Sequence, residues 1–189
     1  MANYVNTDAA AAGKHGLAES SNLKSTIVGN NYDALVLDGE GNAIAVDNGA
    51  PIVIGDYTHE GLQERNAAIA GVGDKIAFVC APAVVKGAMT KAQANPENFY
   101  IPAGKLAKAY EVVEDDIFGI ADYQFTSGTP AVEGYVTVDG EGAYATVASA
   151  PDASTYGFIG KIHSIALASN ETIVRVRCIQ NEQLSELSV

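Results

Sequence analysis

The stretch from Phe99 to Phe125 constrains the fold more than any other part of the chain. It opens on Phe99-Tyr100-Ile101, turns at Pro102-Ala103-Gly104, and then largely alternates polar and apolar residues from Lys105 to Val112. A second corner at Glu114-Asp115-Asp116 leads into Ile117-Phe118-Gly119-Ile120-Ala121. Period-two alternation puts the apolar side chains on one face of an extended strand, and Gly, Pro or acidic corners end each run. This is the pattern of an antiparallel meander. A helix over 103–114 competes locally, because Lys, Leu and Ala favour helix. The Val112-Val113 pair and the flanking aromatics decide for strand.

The same grammar recurs on both sides. Ala34–Leu37 runs into Asp38-Gly39-Glu40-Gly41, and Asn42–Val46 leads away. Asp-Gly between apolar runs signals a hairpin, since such turns need a positive φ that Gly supplies without steric cost. A second Asp-Gly-Glu-Gly, Asp139–Gly142, lies between Gly134–Val138 and Ala143–Val147. A four-residue match is better explained by reuse of one turn than by duplication of a domain. Further strands are predicted over 51–55, 75–80, 156–167 (with a glycine bend) and 172–179. Glu60–Ala70 reads instead as polar and turn-like, with one possible helical turn. The sum is about ten short strands and no long helix, hence an all-β antiparallel barrel or sandwich. The absence of Trp, the 19 glycines and apolar content weighted to Ala and Val agree with short strands and tight turns.

Composition shifts divide the chain into an N-terminal arm (1–28), a first β segment (29–82), a linker (83–98), a C-terminal β domain (99–180) and a tail (181–189). The arm is small in side chain and punctuated by glycine, so it is expected to be extended and to order against a neighbour or not at all. Removing residues 2–24 is then expected to leave the fold intact.

A net charge of −12, from 11 basic and 23 acidic residues, argues against broad electrostatic binding of nucleic acid or an anionic membrane. Arg175 and Arg177 share one strand face, which a solvated surface explains better than an anion site. Cys80 and Cys178 each follow an apolar run and read as small hydrophobes. With no leader-like opening and no apolar run of membrane-spanning length, both thiols are expected to be free in a reducing cytoplasm.

Catalytic patterns fail one by one. Gly104-Lys105 and Gly160-Lys161 are followed by Leu106 and Ile162, and Phe99 and Thr155 stand where a phosphate loop needs glycine. Gly71-Val72-Gly73 precedes a strand, the wrong context for a dinucleotide site. His15, His59 and His163 are too scattered for a metal site, and His163 reads as a satisfied or surface residue. No nucleophile elbow is present. Glu114-Asp115-Asp116 reads as a solvated corner rather than a carboxylate pair, and the Asp-Gly-Glu-Gly turns lack a calcium loop's alternating oxygens. No catalytic, cofactor-binding or metal-binding residue is therefore assigned, no cofactor is expected, and the chain does not read as an enzyme.

One resemblance covers most of residues 30–180. The order of the pieces G-D-K-I-A-F-V-C-A-P, F-Y-I-P-A-G-K-L-A-K-A-Y-E-V-V-E-D-D-I-F-G-I, F-I-G-K-I and V-R-V-R resembles that of capsid decoration, or cement, proteins of tailed bacteriophages. The likeness rests chiefly on Phe99–Ile120 and Phe158–Arg177. It implies a virion component without catalysis, made in the host bacterial cytoplasm, that binds the capsid exterior and stabilises the head. The implied partner is the major capsid protein, with homotrimer formation or self-association on the capsid, and no nucleic acid or membrane. Two alternatives stand beside it: a β-sandwich that binds carbohydrate or a host surface, and a tail-tube or head–tail joining protein.

Overall fold

The computed structural model describes residues 18–24, 31–59, 63–81, 100–168 and 171–184. They form fourteen strands: β1 (Ala18–Asn22), β2 (Asn31–Leu37), β3 (Val46–Asp47), β4 (Pro51–Tyr57), β5 (Glu64–Ile69), β6 (Ala77–Val79), β7 (Tyr100–Ile101), β8 (Ala107–Glu111), β9 (Ile117–Ala121), β10 (Phe125–Ser127), β11 (Tyr135–Val138), β12 (Tyr144–Val147), β13 (Phe158–Ala168) and β14 (Glu171–Asn181). No α-helix occurs among the described residues, and the all-β class is as the sequence indicates. Strands β2-β5-β4-β6-β8 close into a barrel, and β1-β9-β14-β13-β11-β12-β10 form a seven-stranded sheet. Pairing is antiparallel except for β2 with β5 and β10 with β12, which run parallel.

A five-stranded barrel is narrow, because barrel diameter grows with strand number. Its inward positions therefore need small side chains. Ala34, Ala67, Ala77, Ala107 and Ala109 fill it with Val36, Ile52 and Val79, all buried in one cluster. This is where the Ala- and Val-weighted composition is spent. Beyond one end of the barrel, Val46 and Ile101 of the small β3–β7 sheet join Ile44 and Ala50 in the same apolar cluster.

Strand β6 faces two ways. Ala77 and Val79 point into the barrel, while Phe78 points out and meets Phe118 of the sheet, ring centroids 4.9 Å apart. Around that contact lie Ile120, Val136, Val138, Tyr144, Phe158, Ile162, Val174 and Val176, the inner face of the sheet. Polar side chains fix the joint. Asn181 accepts from Ile76 N–H (2.8 Å) and donates to the Ile76 and Val112 carbonyls (2.8 and 2.7 Å), and Tyr144 donates to the Gly49 carbonyl (3.0 Å).

Several expectations change here. Glu64–Ile69 is a barrel strand, not a turn. Its inward residues are Arg65, Ala67 and Ile69, so one end of its alternation is polar and the pattern is hidden. The segment 107–111 is strand β8, which settles the local competition with helix. This strand, from beyond the linker, completes a barrel whose other four strands lie within 29–82. Within the arm, residues 18–22 add an outer strand to the sheet and Leu23 is fully buried, so removing 2–24 would damage the fold. Asp116 is buried rather than solvated: its carboxylate accepts from Lys24 N–H (2.8 Å) and Val113 N–H (3.0 Å). The linker and residues 185–189 lie outside the described residues, as do 1–17 and 25–28 of the arm.

The two Asp-Gly-Glu-Gly turns share one hydrogen-bond cage. In each, the Asp carboxylate accepts from the backbone N–H two and four residues on: Glu40 and Asn42 for Asp38, Glu141 and Ala143 for Asp139. The final glycines, Gly41 and Gly142, have φ of 83° and 81°, where a side chain would be strained. The likeness ends at the turn, since β2 lies between β5 and β8 in the barrel and β11 between β12 and β13 in the sheet.

Candidate functional site

From Val174 to Cys178, strand β14 buries every second side chain. Val174, Val176 and Cys178 face inward, which places Arg175 and Arg177 on the outer face. Register then decides what stands beside them. Arg177 lies directly opposite Lys161 of β13 and Ile117 of β9, and Lys161 lies opposite Tyr135 of β11. One row across four strands thus reads Ile117, Arg177, Lys161, Tyr135. Register shifts occur on either side of this row, between Ile159 and Gly160 and between Ile162 and Ser164, and the exposed His163 sits at the second of them.

The neighbouring row reads Glu19, Gly119, Arg175, Ser164. Glu19 on β1 reaches across β9 to Arg175 on β14, accepting from Nε at 2.8 Å and Nη2 at 3.1 Å. The crossing is possible because Gly119 has no side chain. A Cβ there would lie 2.9 Å from Glu19 Oε2 and 2.8 Å from Ile173 Cγ2. Glu19 raises the pKa of Arg175, first through this hydrogen bond and then through its charge. The N-terminal segment is thus tied to the cationic face by a two-pronged ion pair.

Lys161 pairs with Glu133 at 2.5 Å and lies 5.9 Å from the Tyr135 ring centroid. The hydrogen bond and opposite charge raise the Lys161 pKa and lower that of Glu133. Arg177 makes no ion pair among the described residues, although its charge also helps to lower the Glu133 pKa. A cross-strand pair of like charges is unfavourable by some tenths of a kcal/mol. With 23 acidic residues in the chain, nothing in the composition forces a lysine to stand opposite this arginine. The shared face of Arg175 and Arg177 is legible in the sequence; their meeting with Lys161 and His163 depends on the β13–β14 register and is not. Shallow depressions run along this face, one bounded by Glu133, Lys161, His163 and Arg177, the other by Glu19, His163, Ser164 and Arg175.

A second concave feature is the open mouth of the barrel, at the end away from β3 and β7. Tyr32, Arg65 and Glu111 hold inward positions at the ends of their strands, with Lys75 just before β6, around a cavity of about 290 Å³. Tyr32 donates to Glu111 Oε2 at 3.3 Å, and Lys75 pairs with Glu111 Oε1. Burial, then the Glu111 charge and hydrogen bond, raise the Tyr32 pKa.

Neither cysteine suits nucleophilic chemistry. Both are free, and burial foremost, with Asp116, Glu114 and Asp115 nearby, pushes the Cys178 thiol up to about 12. Among the described residues no group of His, Cys, Asp and Glu is placed to hold a metal ion, and no helix is long and apolar enough to cross a membrane. Comparison with protein-family models, curated proteins and solved structures returns no match for this chain.

Proposed function

We propose that the protein is a non-enzymatic virion component that binds the exterior of a tailed-phage capsid and stabilises or decorates the head. The resemblance carried by Phe99–Ile120 and Phe158–Arg177 suggests the class. The observation that carries the reading is the like-charged pair Arg177–Lys161 on the outer face of the sheet, in the row beside the ion pair that roots the N-terminal segment. Three of the protein's eleven lysines and arginines share one sheet face, and with Arg175 held by Glu19 and Lys161 by Glu133, Arg177 is the cation left open to an acidic partner surface. Residues 18–24, anchored through Glu19 and Leu23, add contact area beside it.

The carbohydrate alternative has less to stand on. Tyr57, a large exposed aromatic at 55% accessibility, has one ring face taken by the Arg65 guanidinium 3.7 Å from its centroid.

The test is co-sedimentation with mature heads of the encoding phage prepared without this protein, alongside the protein's native mass in solution. Saturable binding at a fixed ratio to the capsid lattice, weakening as ionic strength rises, is the expected result. Absence of binding together with spontaneous rings or tubes would replace the proposal with a tail component. A monomer that ignores capsids would overturn it outright.

A further inference from the structure

The two ends of the barrel differ in a way the decoration reading does not use. At the β3–β7 end, Ile44, Val46, Ala50 and Ile101 continue the apolar cluster of the interior. At the other end the inward positions turn polar. Strand parity makes Tyr32 the continuation of Ala34 and Val36, Arg65 that of Ala67 and Ile69, and Glu111 that of Ala107 and Ala109. Three strands thus break their apolar pattern at one end, and Lys75 brings a fourth polar side chain to the same opening. Such convergence at a barrel mouth marks a small-ligand site.

Charge says which ligand. Glu111 is shared by Lys75 and the Tyr32 hydroxyl. Arg65 donates Nη1 to the Gly55 carbonyl at 3.3 Å and stacks on Tyr57, and it has no carboxylate partner among the described residues. Two cations face one carboxylate, so one negative charge is missing. The cavity's remaining wall is mixed, with Val53, Ile54, Ile76 and Ala77 on its apolar part and Gln183 closing it on the polar side. We infer that the barrel mouth binds a monoanionic carboxylate carrying a short apolar tail, its carboxylate on Arg65 and Lys75 and its tail against Val53 and Ile54. Guanidinium–carboxylate pairing in a partly enclosed site supplies orientation, and the tail supplies affinity.

The experiment titrates acetate, butyrate and hexanoate into the full-length protein at constant ionic strength, with chloride as control, followed by two-dimensional amide NMR. Expected are saturable shifts centred on Ile54, Gly55, Arg65 and Ile76, with affinity rising about three- to fourfold per methylene while the cavity fills. Arg65→Gln should abolish the effect. Because that variant also loses its contact with Tyr57, Glu111→Gln is the sharper test: removing the resident carboxylate should tighten butyrate binding several-fold. A peptide with a free C-terminal carboxylate, compared with its amide, separates a chain end from a free acid as the source. Shifts identical to those with chloride, shifts confined to β13 and β14, or weaker binding by a folded Glu111→Gln would each overturn the assignment.

Discussion

On one face of β14, Val174, Val176 and Cys178 are fully buried against the barrel; on the other, Arg175 is only partly covered and Arg177 is exposed beside Lys161. Both faces belong to the same strands and share one hydrogen-bond ladder, so backbone pairing cannot account for the difference. The inner face follows the rule of a core: phenylalanines at van der Waals distance, buried polar groups such as the Tyr144 hydroxyl partnered, and joints closed by Asn181. The outer face departs from what stability alone would choose, setting like charges opposite one another and threading an ion pair over a glycine. Where a surface gives up stability, a partner is the physical explanation to test first.

Removing an inner-face ring should have the largest effect. Phe118→Ala removes a fully buried ring that touches Phe78, Tyr144 and Phe158, and should cost about 3–5 kcal/mol of unfolding free energy in a urea titration. A cost below about 1 kcal/mol would mean that barrel and sheet are not packed as one core.

Gly119→Val tests the passage between the rows. The new side chain meets Glu19 and Ile173, so the Glu19–Arg175 pair must open. A loss of about 1–3 kcal/mol is expected. Faster amide exchange in Ala18–Asn22 than in β13 should accompany it, and uniform exchange would contradict the anchoring role.

The smallest effect is the most informative. Arg177→Gln relieves the cross-strand repulsion, so stability should stay within about 0.5 kcal/mol of the parent or rise slightly. A clear loss would mean that Arg177 has a structural partner and that the outer face is ordinary.

Much of the inner face was legible in the sequence. Val136 and Val138, Val174 and Val176, and both Asp-Gly-Glu-Gly turns follow directly from period two and from glycine's access to positive φ. What stayed hidden depended on pairing between distant segments. Glu64–Ile69 is disguised because Arg65 serves the barrel mouth, and β8 closes a barrel begun more than seventy residues earlier in the chain. Asp116 looked like a solvated acid because the backbone donors it accepts from, at Lys24 and Val113, include one about ninety residues away. The cationic face was half visible: parity joins Arg175 to Arg177, but only the register, with its shifts around Gly160 and His163, brings Lys161 opposite Arg177.

The most direct test of the account is capsid co-sedimentation of the double variant Lys161→Gln/Arg177→Gln beside the parent, with unfolding midpoints measured on the same samples. The account predicts unchanged or slightly raised stability together with capsid affinity reduced on the order of tenfold. Saturable binding indistinguishable from the parent, at equal stability, would contradict it and remove the outer face of the sheet from the binding site.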